Sequence, residues 1–222
     1  MKRIVFLAAV ILALAACKKE NTPSDSAKEV IVAVDLGLSV KWGSVNLGAS
    51  KPECYGDYYA WGETETKSDY SWSTYKFDTD YFGPFSKYNT SSSYGSVDNK
   101  TVLDPEDDVA HVKLGENWRM PTHEEWIELR TKCTWEWTTN YNGTGVKGRI
   151  VTATNGNSIF LPAAGIRSDT DLSDAGYDGY YWSSSLNTDY PCGAWLVVFF
   201  SDDIGWSGSY RYYGLSVRPV SE

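Results

Sequence analysis

Apolar residues in this chain recur mostly at every second position, in runs too short for anything but strands, and take a helical spacing in only two places. Leu38, Val40 and Trp42 alternate with Ser39 and Lys41, which predicts a strand over 39–45 after another over 30–34. Thr134-Trp-Glu-Trp-Thr138 alternates likewise. Strands over 146–154 and 158–162 flank Asn155-Gly156, a pair suited to a tight hairpin because both central positions need positive φ. Strands over 180–184, 194–200 and 210–220 complete a meander, with turns at 201–203 and 205–209. The clearest helical signal is Thr122 with Glu125 three residues on, a capping box in which each side chain takes up the other's backbone N–H. Pro121 stops backward extension, and Trp126, Leu129 and Cys133 fall on one side, so a helix is expected over His123–Lys132. Asp104-Pro105 followed by Glu106, Asp107 and Asp108 reads as an N-cap, a proline at the first helical position and acids favoured by the helix dipole, predicting a helix over 105–112. The pattern as a whole is α+β, two short helices on mostly antiparallel strands with long loops. Trp42, Trp118, Trp126, Ile159, Leu161, Trp182, Trp195, Val197 and Val217 are its expected core.

Composition changes this picture only at the N-terminus. Lys2 and Arg3 precede an apolar run over 4–14 that is too short to span a bilayer and suits a secretory signal. It ends in Leu14-Ala-Ala-Cys17, which resembles the lipobox cut by the lipoprotein signal peptidase. That likeness implies a signal over 1–16, an acylated Cys17 that holds the chain to a lipid bilayer, and a polar tether over 17–29. One domain then occupies 30–222. Lys18-Lys19-Glu20 is similar to the short charged signals that send lipoproteins of some gut bacteria to the outer surface, so an outer-membrane lipoprotein at the cell surface, or on the periplasmic face, is expected. Without Lys2 and Arg3, the 20 basic residues fall to 18 against 29 acidic ones, a net charge of −11 that repels nucleic acid. Cys54, Cys133 and Cys192 remain in a compartment that permits disulfides; at most one bridge forms among them, and all three pairings stay open.

Arg119-Met-Pro-Thr-x-x-Glu-Trp126 resembles the Arg-Leu-Pro-Thr-Glu-x-Glu-Trp segment of the formylglycine-generating enzyme superfamily, whose members have a C-type lectin-like fold. The segment over 34–49 and Tyr55-Gly-Asp-Tyr-Tyr-Ala-Trp-Gly-Glu63 resemble the opening of lipoprotein domains related to the Fibrobacter succinogenes major paralogous domain. Segments over 103–110, 158–165, 179–185 and 216–220 extend that likeness over nearly all of the mature chain. It implies a C-type lectin-like domain, and it leaves three functions: a non-catalytic recognition or adhesion module, an enzyme of the formylglycine-generating stock, or a purely structural envelope protein.

Catalytic machinery is not visible. The superfamily's enzymes use a closely spaced cysteine pair late in the chain, and Cys192 has no such neighbour. Gly143-Thr-Gly-Val-Lys-Gly148 matches a dinucleotide pattern but is followed by a hairpin instead of the helix that would receive the pyrophosphate. Asp169-Thr-Asp171 opens like a calcium loop, yet its sixth position is Asp174 and its twelfth Tyr180. His123 and His111 each lack a second histidine at zinc-binding spacing. The acids at 104–108 are accounted for by capping, so no metal or other cofactor is expected.

Binding chemistry is better represented. Thirteen aromatic residues lie among the 40 positions of 55–94, interleaved with Ser, Thr, Asp and Gly. Such rings either anchor a long loop or serve recognition, since tyrosine offers large contact area at small rotamer cost. The C-type lectin-like resemblance places this run and the turn over 205–213 on one face, which would carry Tyr58, Tyr59, Trp61, Trp206, Tyr210 and Arg211. Carbohydrate or a surface glycoprotein is the partner such a face implies.

Overall fold

A computed structural model describes residues 31–78, 80 and 83–222. The signal, Cys17 and the tether lie outside the described residues, as do Tyr81 and Phe82 of the aromatic run. Twelve strands and two α-helices are present among the described residues: β1 (Ala33–Val34), β2 (Lys41–Gly43), α1 (Val109–Leu114), β3 (Trp118–Arg119), α2 (His123–Lys132), β4 (Thr134–Thr138), β5 (Gly148–Thr152), β6 (Ser158–Pro162), β7 (Ile166–Ser168), β8 (Asp171–Ser173), β9 (Gly179–Leu186), β10 (Gly193–Phe199), β11 (Ile204–Tyr210) and β12 (Val220–Ser221). All the strand pairs are antiparallel, so the architecture is mixed α/β with several mostly antiparallel sheets.

The centre is the sheet β11-β10-β9. Tyr181, Val197 and Phe199 face α2, β2 and β4–β6, while Trp182, Leu196 and Val198 face the long segment between β2 and α1. Both faces are therefore covered, which is why β9 is buried almost without alternation. A second sheet, β1-β2-β12-β3, draws the end of the chain between its beginning and its middle: Val220 pairs with Trp42 on one side and Arg119 on the other. Indole N–H groups tie the layers together, from Trp61 to the Ser183 carbonyl at 2.9 Å, from Trp182 to that of Tyr59 at 2.9 Å, and from Trp126 to that of Trp182 at 3.2 Å. Arg218, fully buried, donates to Gly43 O, Asn46 Oδ1 and Phe160 O at 2.9, 3.0 and 2.7 Å, spreading its charge over neutral acceptors from three segments. Burial pulls its pKa down to about 10.

Helix α2 starts and ends where its capping signals place it, with both halves of the box formed. The hairpin around Asn155-Gly156 also forms, over shorter strands than the alternation suggests. Four expectations are corrected. Residues 105–107 make a 3₁₀ turn, and α1 begins only at Val109, because Asp108 caps Ala110 and His111 while the Asp104 side chain caps nothing. Residues 205–209, expected as a turn, lie inside β11, which pairs with β10 along its whole length; of 210–220, only Val220 joins a strand beyond Tyr210. An unexpected hairpin, β7–β8, turns at Asp169, whose φ of 52° an Asp side chain tolerates. Trp118 and Trp195 are half-buried instead of core, the other seven expected core residues being buried.

Candidate functional site: a polar cleft beside a tyrosine row

The six residues expected on one face are dispersed. Tyr59, Trp61 and Arg211 are 1%, 0% and 0% exposed and Tyr58 only 7%, so they anchor the long loop. Arg211 donates to the carbonyls of Lys87 and Tyr88 and stacks its guanidinium on Phe85 and Trp61 at 4.4 and 5.3 Å, and burial pulls its pKa down. Trp206 lies against α2, its ring edge-on to His123 at 5.5 Å. His123 in turn stacks on Trp195 at 4.6 Å, and its buried Nδ1 has no hydrogen-bond partner. Burial pushes the His123 pKa down. Only Tyr210, four residues along the same strand and thus about 13 Å from Trp206, reaches a partly open aromatic surface.

That surface is a row of rings drawn from three loops. Tyr210 stacks with Tyr212 at 5.7 Å and meets Tyr190 at 6.1 Å; Tyr212 meets Tyr213 at 4.4 Å, and Tyr190 meets Tyr94 at 6.5 Å. Trp72, itself buried, supports the row from beneath, 4.6 Å from Tyr212 and 5.6 Å from Tyr210. Cys192 is buried next to the Tyr94 and Tyr190 phenols. The Tyr190 phenol, hydrogen-bonded to Tyr210, and the Tyr212 phenol, partly buried, titrate well above the ordinary tyrosine range and stay neutral hydrogen-bonding groups.

Next to the row, the backbone of Gly214 exchanges hydrogen bonds with that of Arg167 at 2.8 and 3.0 Å, and here a cleft of about 560 Å³ opens. Its wall is built from Tyr58, Lys67, Tyr70 and Arg167, with Gly56, Asp57, Thr66, Ser68 and Thr170 around them. Two glycines make the geometry possible. A Cβ on Gly214 would stand 2.5 Å from the Tyr70 ring, and Gly56 has φ +78° with a would-be Cβ 2.4 Å from Leu47 O. Tyr70 donates to Tyr58 O at 2.6 Å and Tyr58 to Ala164 O, so both phenols are committed to the wall. Burial pushes both phenols up, and the nearby Arg167 guanidinium offsets part of that rise. Lys67 is held by Glu63 and by Thr74 O at 2.9 and 3.1 Å. The Arg167 guanidinium lies 5.2 Å from the Tyr58 ring centre and makes no ion pair or side-chain hydrogen bond among the described residues.

One acidic cluster could hold a cation by spacing alone: Asp104, Glu106 and Asp107 offer oxygens within 4.8 Å of one another. Lysine ammonium groups already take those oxygens. Lys87 Nζ is 2.6, 3.0 and 2.6 Å from the three acids, Lys76 pairs with Asp107 at 2.6 Å, and Lys100 pairs with Asp104. The Lys100 and Lys87 ammoniums hold Asp104 below the usual carboxylate range. The cluster is a clamp between the long loop and the 3₁₀ turn over 105–107, with its charge already balanced. Cys133 and Cys192 are free thiols, so none of the three pairings left open for Cys54, Cys133 and Cys192 is formed, and burial pushes both thiols up.

Sequence reasoning reached Tyr210 of the row and Tyr58 of the cleft, but missed Arg167, Tyr190, Tyr212 and Tyr213. A signal was available only for the last two, in the unbroken Tyr210-Arg-Tyr-Tyr213 run. Compared with protein-family models, with curated proteins and with solved structures, the chain shows no match. Among the described residues no helix is long and apolar enough to cross a membrane.

Proposed function

We propose that this is a cell-envelope lipoprotein of the major paralogous, C-type lectin-like kind, anchored to the bilayer through acylated Cys17, and that its domain is a non-catalytic recognition or adhesion module for carbohydrate or glycoprotein. The observation that carries the reading is the interlocked row Tyr94–Tyr190–Tyr210–Tyr212–Tyr213 beside a polar cleft. Its rings are half in solvent and fixed by mutual contact, so they offer flat apolar faces with hydroxyl rims at little entropic cost. A sugar ring presents the matching combination of one apolar face and a polar edge. The raised thiols support a binding role over thiolate chemistry, which needs a depressed pKa.

The test has two arms. Cys17→Ser should move the protein from the detergent phase to the aqueous phase on Triton X-114 partitioning, and a mutant still in the detergent phase would place the anchor elsewhere. Tyr212→Ala with Tyr213→Ala, in the full chain, should lower retention on immobilised glycans and cell-surface glycoprotein extracts at least tenfold with the circular dichroism spectrum unchanged. Undiminished retention in the double variant would remove the row from the function.

A further inference from the structure

The cleft has a charge pattern that the tyrosine row alone does not explain. Of its cations, Lys67 is neutralised by Glu63 at 2.9 Å, whereas Arg167 is paired with no carboxylate among the described residues. Arg167 is nevertheless held in place. Its backbone is paired to Leu172 within the β7–β8 hairpin and to Gly214 across it, and its guanidinium is seated over the Tyr58 ring. A guanidinium stacked by one face on an aromatic ring keeps its in-plane N–H groups available, and their fork fits a two-oxygen anion. Around it the hydroxyls of Thr66, Ser68 and Thr170 make no hydrogen bond among the described residues, so hydroxyl-binding capacity surrounds the charge. Asp57, on the same wall, accepts from the Tyr59 hydroxyl at 3.4 Å.

From this we infer that the cleft is an acidic-sugar subsite: Arg167 receives the single negative charge of a saccharide residue, a carboxylate or a sulfate ester, while Thr66, Ser68 and Thr170 engage its hydroxyls and neighbouring sugars run onto Tyr212 and Tyr213. The inference rests on the recognition reading proposed above and names its ligand class. One negative charge is matched and further ones are not, because Arg167 is the one cation of the cleft without a carboxylate partner among the described residues. A chain of net charge −9 leaves this cation as a local exception in a repelling field, so recognition requires a saccharide whose other groups are neutral.

The experiment uses the full chain in detergent on an array of matched oligosaccharides: neutral galactans carrying a single galacturonate, the methyl ester of that galacturonate, the same galactans carrying a single sulfate, and unmodified neutral galactans, with fully charged oligogalacturonate as the probe expected to bind worse than the singly charged ones. Sparse acidic substitution should bind best, methyl esterification should lower binding at least tenfold, and Arg167→Gln should remove the preference for acid while keeping residual neutral binding through the tyrosines. Arg167→Lys, which keeps the charge and loses the fork, should fall between the two. Preference for carboxylated over sulfated probes, or the reverse, identifies the anion and supports the subsite either way. Equal binding of esterified and free uronate by wild type, or an undiminished acid preference in both Arg167 variants, overturns the subsite and leaves the recognition reading standing. Absence of binding to every saccharide, acidic and neutral, overturns both. Should Arg167→Gln alter the circular dichroism spectrum, Arg167→Lys and the esterified probe on wild type decide the question between them.

Discussion

Arg211 distinguishes a ligand-binding arginine from a structural one, and the structure makes its removal measurable. The side chain is fully buried and donates to the carbonyls of Lys87 and Tyr88 while stacking on Phe85 and Trp61. Replacing it by Met keeps most of the volume but leaves two carbonyls of the loop without a donor. Each unmet buried acceptor costs about 1–3 kcal/mol, and two lost cation–π contacts add roughly 1–2 kcal/mol together. Against this, the variant no longer pays for desolvating a guanidinium, a penalty of several kcal/mol that the hydrogen bonds and rings offset in the wild type. The net expectation for Arg211→Met is a destabilisation of about 3 kcal/mol. With a urea m-value of roughly 2 kcal/mol per molar, the unfolding midpoint should fall by about 1.5 M, followed by tryptophan fluorescence. Residues around Trp61, Tyr88 and Phe85 should also lose hydrogen-exchange protection first, because Arg211 is what joins them. A midpoint within about 0.25 M of wild type, equivalent to about 0.5 kcal/mol at that m-value, would refute the reasoning and return Arg211 to the surface.

Two further perturbations probe the cleft and α2. Gly214→Ala pushes a methyl group to within 2.5 Å of the Tyr70 ring, so stability should drop by about 1–3 kcal/mol in thermal unfolding, and retention on glycans should fall with it; unchanged stability and retention would mean that the cleft wall is free to yield. His123 has its folded pKa pushed below the ordinary value of about 6.5, so the stability it contributes is complete above that pH and is lost as pH falls through the lower folded value. The variant His123→Phe keeps a ring on Trp195 without the titration, and its melting temperature should decline less than that of wild type between pH 7 and pH 5. Parallel declines would show that His123 is solvated in both states.

The sequence determined whatever depends on neighbours along the chain. Thr122, Glu125 and Pro121 suffice to start α2 because a helix end is satisfied locally, and Gly156, at a φ of 87°, lets the loop over 153–157 turn because positive φ is a property of glycine itself, although Asn155 does not share it. The density of rings over 55–94 likewise required that segment to be anchored. Which rings became anchors was another matter, since Trp61 and Tyr59 are closed off by Trp182 and Ser183, more than a hundred positions later. Residues 205–209, Gly-Trp-Ser-Gly-Ser, have the composition of a turn and become strand only because β10 supplies seven residues of pairing partner. Arg211 and Arg218 look solvent-bound to any pattern of hydrophobicity, yet carbonyls from distant segments converge on them and make burial tolerable. The cleft belongs wholly to tertiary structure. Lys67 and Arg167 stand a hundred residues apart, and nothing nearer than the folding of β7–β8 against Gly214 brings an unpaired guanidinium to the side of a row of tyrosines.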